Sequence, residues 1–109
     1  MTTCIHRLHY DKLVRDKIPE ILSKQNKKYK CHIATGDELR EMLREKVLEE
    51  IGEYMSNPCL EELADVYEVL EAVVKAEGYT LTDIEEYRIE KRQTNGGFSQ
   101  SIILEYVEE

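Results

Sequence analysis

Two helix-forming stretches separated by Ser56-Asn57-Pro58, three residues that stop a helix, constrain this chain more than anything else in it. The first opens on Thr35-Gly36-Asp37-Glu38, a capping-box signature, and is predicted to run to about Met55. The second is predicted over Leu60 to Glu77. So tight a turn makes the two helices antiparallel neighbours, with the last turns of one beside the first turns of the other. At about 100° per residue, Leu39, Leu43, Val47, Glu50 and Tyr54 share one stripe of the first helix. Glu50 therefore stands where the pattern asks for an apolar residue, and Glu53 lies one turn further on. In the second helix Glu62 and Asp65 share a stripe with Val66, Val69 and Val73, while Leu60, Leu63, Ala64, Tyr67, Leu70 and Val74 form another apolar face. A helix apolar on two sides is expected to be sandwiched.

Glutamate favours helices, and an ExxE pair is most often a solvated face. Here Glu61, Glu68, Glu71 and Lys75 already supply the solvent face of the second helix, which leaves Glu62 and Asp65 to point elsewhere. Carboxylates at the edge of a core lose hydration that a cation or a proton must replace. Glu50, Glu53, Glu62 and Asp65 converging at one end of a helical hairpin are expected to hold a hard divalent cation, Mg²⁺, with Mn²⁺ as its substitute.

The flanking chain reads more weakly. Residues 13–26 carry Leu13, Ile18, Ile21 and Leu22 at helical spacing, with Pro19 either tolerated early in that helix or marking its true start. Tyr29–Ala34 and Ser101–Val107 have β-forming residues and are expected to pair as a minor two-stranded element. Gly78 supplies a helix stop, and Thr82-Asp83-Ile84-Glu85 repeats the capping-box signature for a helix through about Thr94, closed by Asn95-Gly96-Gly97. Tyr54, Tyr67 and Tyr87 fall at apolar helical positions and read as core. The expected architecture is one domain over 1–109, a mainly α helical bundle with a minor β element. At 109 residues its core is small, and the surplus apolar faces predict a homodimer or a dimer of dimers.

Charge divides the chain. Up to Lys30 there are eight Lys and Arg against three Asp and Glu, and from Cys31 onward seven against twenty, for the net charge of −8. An acidic body argues against nucleic-acid binding, which depends on neutralising phosphates with basic side chains. No apolar run approaches the length of a membrane span, so a soluble cytoplasmic protein is expected. Cys4, Cys31 and Cys59 are odd in number and irregularly spaced, which fits a reducing compartment. A zinc site gathered from Cys4, His6, His9, Cys31 and His32 matches no compact zinc spacing.

The EExxE and ExxD pairs, the preceding Lys46, the run Glu62–Glu68 (ELADVYE) and the N-terminal run Tyr10–Glu20 (YDKLVRDKIPE) together resemble the MazG-like nucleotide pyrophosphohydrolases. Within that group the chain is most similar to the short branch related to phosphoribosyl-ATP pyrophosphohydrolase, over nearly its whole length from about Tyr10. The resemblance implies a MazG-like bundle and Mg²⁺-dependent hydrolysis of a nucleoside triphosphate at the α-phosphorus, giving a nucleoside monophosphate and pyrophosphate. Phosphoribosyl-ATP as substrate is the alternative, and a non-catalytic metal-binding helical module is the competitor from another class. Glu49 is the candidate to orient or deprotonate the attacking water, and Lys46 to contact phosphate or to pair with Glu49 or Glu50. Lys12, Arg15 and Lys17 are the candidates to grip phosphates or a partner subunit, with Arg92 and the Asn95-Gly96-Gly97 turn as weaker ones. The chain departs from the family pattern in two places: only eight residues separate Glu53 from Glu62, and Thr94-Asn95 precedes Gly96-Gly97 where an arginine is expected.

Overall fold

A computed structural model describes residues 6–109 and consists of four helices in the order α1 (Ile18–Lys24), α2 (Gly36–Ser56), α3 (Leu60–Ala76) and α4 (Leu81–Asn95). Among the described residues none is long and apolar enough to cross a membrane. The organising unit is the hairpin of α2 on α3, and α4 touches α3 only lightly. Arg44 reaches Glu77 across the seam at 3.4 Å, tying the middle of α2 to the far end of α3. The seam side of α3 is the valine stripe: Val66, Val69 and Val73 are half-buried, as are Glu62 and Asp65 beside them. Leu43 of α2, 4% exposed, is the one buried residue among those described.

Each helix ends for a local reason. Pro19 occupies the first turn of α1 and marks its true start, so the helix is shorter than the predicted span of 13–26. At its other end Asn26 takes a positive φ of 58°, and the Lys27 N–H reaches back to the Leu22 carbonyl at 3.0 Å, closing the last turn. Gly78 does the same for α3, with φ 86° and the Tyr79 N–H on the Val74 carbonyl at 3.0 Å. The sequence signatures for helix starts are met unevenly. Thr35 is the N-cap of α2, yet its side chain makes no capping bond, and the Glu38 carboxylate is held by His32 Nε2 at 3.1 Å instead. The capping box of α4 forms two residues earlier than expected. Thr80 Oγ1 accepts from the Asp83 N–H at 3.1 Å and Asp83 accepts from the Thr80 N–H at 2.8 Å, so Thr82 and Glu85 lie inside the helix.

Three expectations are corrected. No strand is present among the described residues. Tyr29–Ala34 and Ser101–Val107 are almost wholly exposed, and Ser101 has a positive φ of 54° that breaks the second run at its first residue. Two short strands alone gain too little to pair in water. Second, α3 is not sandwiched within one chain: Leu60 is 84% exposed, and Leu63, Tyr67 and Leu70 are exposed with it because α4 does not cover them. Third, Tyr67 and Tyr87 are surface residues for the same reason, and only Tyr54 is half-buried.

The result is a long molecule, 75 Å in its greatest extent, with a radius of gyration of 19.9 Å where a compact domain of this length has about 13 Å. Its surface of 10580 Å² compares with roughly 6,300 Å² for a compact monomer of the same mass.

Helix capping offers a direct check on the corrected start of α4. Thr80→Ala is predicted to destabilise by about 1 kcal/mol through loss of the cap, whereas Thr82→Ala and Thr35→Ala should stay within about 0.5 kcal/mol of the parent protein. Thermal melting followed by far-UV circular dichroism reads all three, and equal losses at Thr80 and Thr82 would contradict the placement.

Candidate metal centre

The turn at Asn57–Cys59 sets the end of α2 against the start of α3, and the acidic side chains meet there because each occupies the seam side of its own helix. Glu50, Glu62 and Asp65 each offer a carboxylate oxygen, all within 4.8 Å of one another, and all three residues are half-buried. Oxygens on an ideal Mg²⁺ octahedron lie about 2.9 Å apart when adjacent and about 4.2 Å when opposite, so side-chain movements of about 1 Å bring the set into coordination distance. Three carboxylate donors suit a hard cation whose other positions go to water or phosphate oxygen. This is the one group of three or more Asp, Glu, His or Cys side chains with such spacing among the described residues.

Glu53, the fourth expected ligand, is not in the group. It is exposed, one turn beyond Glu50 on the open end of α2. Its charge is nonetheless felt at Glu62, whose carboxyl is pushed above the ordinary value of 4.5 first by desolvation and then by the negative charges of Asp65, Glu53, Glu50 and Glu61. A metal site has this electrostatic character, since like charges are held together at the expense of ionisation.

Basic side chains surround the three carboxylates. Lys46, one turn before Glu50, has its Nζ 3.4 Å from Glu50 Oε1 and 3.4 Å from Glu49 Oε2. Lys46 and Glu50 are the most enclosed ions here, with side chains 14% and 13% exposed, so Lys46 acts first as the ion-pair partner of α2's own carboxylates. Lys12 donates to Glu49 Oε1 at 2.8 Å, and Arg15 to Asp65 Oδ1 at 2.7 Å. Glu49 thus sits between two lysines. The hydrogen bond from Lys12 is the largest influence holding its carboxyl below the ordinary value, with Lys46 adding to it and desolvation opposing. The reciprocal hydrogen bond raises Lys12 above its ordinary 10.5.

Lys17 and Arg92 stand apart from this cluster. Lys17 is the N-cap of α1, its carbonyl accepting from the Ile21 N–H at 3.0 Å. Arg92 lines a shallow depression at the far end of α4 with Arg88, Lys91, Asn95, Gly96 and Gly97. The zinc alternative finds no support among the described residues: His32 is engaged with Glu38, Cys31 is free and exposed, and Cys4 lies outside those residues. The pairing of Lys12 with Glu49 and of Arg15 with Asp65 was not foreseeable from spacing, since the partners are 37 and 50 positions apart. The signal available in the sequence was the charge asymmetry that sets a basic N-terminal segment against an acidic body. No protein-family model, no curated protein and no solved structure matches this chain.

The two shifted glutamates predict opposite pH behaviour in metal-free protein. Glu62, with a folded-state value above its unfolded one, opposes folding once ionised, and stability is lost as pH rises through the raised value. Glu49, with a lowered value, contributes stability that is present above its unfolded value and lost as pH falls through the folded one. In chelator, Glu62→Gln should therefore melt above the parent protein at pH 7 and Glu49→Gln below it, with both differences shrinking toward pH of about 4. Differences of the same sign for the two variants would contradict the electrostatic arrangement described.

Proposed function

We propose that this protein is a Mg²⁺-dependent nucleotide pyrophosphohydrolase that hydrolyses a nucleoside triphosphate between its α and β phosphates, giving a nucleoside monophosphate and pyrophosphate. The observation that carries the reading is the convergence of Glu50, Glu62 and Asp65 from the two arms of the hairpin, with the Lys12, Arg15 and Lys46 cations beside them. The resemblance of the same residues, with the run Tyr10–Glu20, to the MazG-like enzymes adds to it. A triphosphate is a polyanion, and a site for it needs cationic groups next to a cation-binding carboxylate set.

Bound by Glu50, Glu62 and Asp65, Mg²⁺, or Mn²⁺ in its place, would neutralise charge on phosphate oxygens and lower the pKa of a water. Paired with Glu49 and Asp65 beside the carboxylates, Lys12 and Arg15 are the proposed phosphate contacts, in preference to Lys17 and Arg92, which stand apart. Water adds to the α-phosphorus, the bond to the bridging oxygen breaks, and pyrophosphate leaves with that oxygen. Glu49 is ionised and fixed by two lysines, so its part is to orient the water by accepting a hydrogen bond; a carboxyl held below its ordinary value is a weak base.

The working unit is a homodimer or a dimer of dimers. A chain that exposes roughly 4,000 Å² more than a compact monomer needs has the area of an obligate interface to cover, and the uncovered side of α3 supplies the apolar face. The compartment is a reducing one, the cytoplasm, where the exposed thiols of Cys31 and Cys59 persist.

Glu50→Gln and Asp65→Asn are each predicted to reduce pyrophosphate release from a panel of nucleoside triphosphates, assayed at millimolar Mg²⁺, by more than tenfold with helical content unchanged. Retention of more than about a tenth of the rate in both would sink the assignment, and Mg²⁺-dependent stability without turnover would leave a non-catalytic metal-binding module. The assembly is checked separately by light scattering, for which a monomeric mass at micromolar concentration is the contrary result.

A further inference from the structure

The segment before α1 is fastened across the hairpin in an unusual way. Helix α1 packs on no other helix among the described residues. The chain turns at Asp11, φ 46°, and then lays Lys12 on Glu49 of α2 and Arg15 on Asp65 of α3, with Leu13 half-buried between them. Asp65 is one of the three carboxylates that converge at the turn, and the Arg15 guanidinium approaches its Oδ1 at 2.7 Å. A carboxylate oxygen so occupied is poorly available to a divalent cation at about 2.1 Å, because the two positive charges would then be held within a few ångströms of each other.

We propose that Lys12–Arg15 is an exchange strap: Arg15 covers Asp65 in the cation-free protein and transfers to the phosphates of the substrate when a divalent cation takes Asp65, while Lys12 stays on Glu49 and holds the other end of the strap. The inference rests on the metal-site reading above and gives Arg15 two alternative partners. Two observations favour it. The Arg15 side chain is 59% exposed, so its pair with Asp65 is weak and readily exchanged. A phosphate oxygen pair accepts the guanidinium fork in a charge-assisted, bidentate way, a stronger contact than the single hydrogen bond to Asp65. Leu13 is half-buried in the same segment, and the exchange asks only the Arg15 side chain to swing. The consequence is coupling: the cation frees Arg15 for the polyphosphate, and the polyphosphate holds Arg15 away from the cation's carboxylate, so each tightens the binding of the other.

The test separates cation binding from catalysis. Mn²⁺ is titrated calorimetrically into nucleotide-free protein, and inorganic triphosphate into Mn²⁺-saturated protein, for the parent chain and for R15Q, R15K, K24Q and D65N. R15Q should bind Mn²⁺ about twofold to fivefold more tightly than the parent, the release expected from an exposed ion pair. In the second titration R15Q should bind triphosphate about tenfold or more weakly, the loss of a hydrogen bond between charged groups. R15K, which keeps a cation in reach of Asp65, should stay near the parent in the first titration. K24Q removes the same charge from the Lys24–Glu20 pair on α1 and should also stay there. Unchanged or weaker Mn²⁺ binding by R15Q, equal tightening by K24Q, or unchanged triphosphate binding by R15Q each overturns the strap. Parent-like Mn²⁺ affinity in D65N removes the metal site itself and the strap with it, whereas a D65N loss without an R15Q gain sinks the strap alone.

Discussion

The contact between α2 and α3 is the constraint on which the remaining structure depends. It brings together the valine stripe of α3 and the side of α2 that carries Leu43, and it also carries ions that an apolar seam would ordinarily reject. Glu50 takes an apolar position of that stripe and is tolerated there because Lys46, one turn away and equally enclosed, neutralises it. Without that partner the carboxylate would have to leave the seam or take up a proton. The pairing is local to one helix, so it leaves Glu50 facing Glu62 and Asp65 rather than drawing it aside.

The second constraint is scarcity of interior. With Leu43 alone buried among the described residues and Leu60, Leu63, Tyr67 and Leu70 open on α3, local hydrogen bonding maintains the individual helices while little beyond the α2–α3 contact holds them to one another. Positive-φ stops at Asn26 and Gly78 and a reciprocal box at Thr80 and Asp83 close these helices locally, whereas α1, α2 and α3 start without a side-chain cap. Charge reinforces the α2–α3 hairpin through Arg44 and joins the N-terminal segment to it through Lys12 and Arg15.

Much of this was legible in the chain itself, and the parts that were not share a cause. The hairpin, its turn and the placing of Glu50, Glu62 and Asp65 are set by helical periodicity and by Pro58, all local properties. The start of α4 was misplaced because Thr80–Asp83 and Thr82–Glu85 both have box spacing. The left-handed turn at Gly78 decides between them, leaving Thr80 extended at φ −101° and ψ 163°. Glu53 stands outside the group of three: periodicity places a side chain on a face without saying how far along the helix the donors of α3 reach. The expected strand pair failed for a related reason: β-forming residues at Tyr29–Ala34 and Ser101–Val107 need a neighbour to pair with, and pairing across 70 positions is not written in either run. The ion pairs of Lys12 and Arg15 belong to the same class of long-range facts.

The short connection between the two arms also determines which lengths are free to vary. Asn57–Cys59 lies beyond the last seam residues, so residues added there would project past the end of the hairpin and leave both faces as they are. A single residue inserted between Lys46 and Glu50 would instead rotate Glu50 by about 100° around α2, carrying it off the seam and away from Lys46's partner position. Insertions are therefore tolerable at the tip and ruinous within the arm. Of the eight residues between Glu53 and Glu62, only Asn57–Cys59 lie outside both helices, and it is there that a change of length leaves the register of the carboxylates untouched.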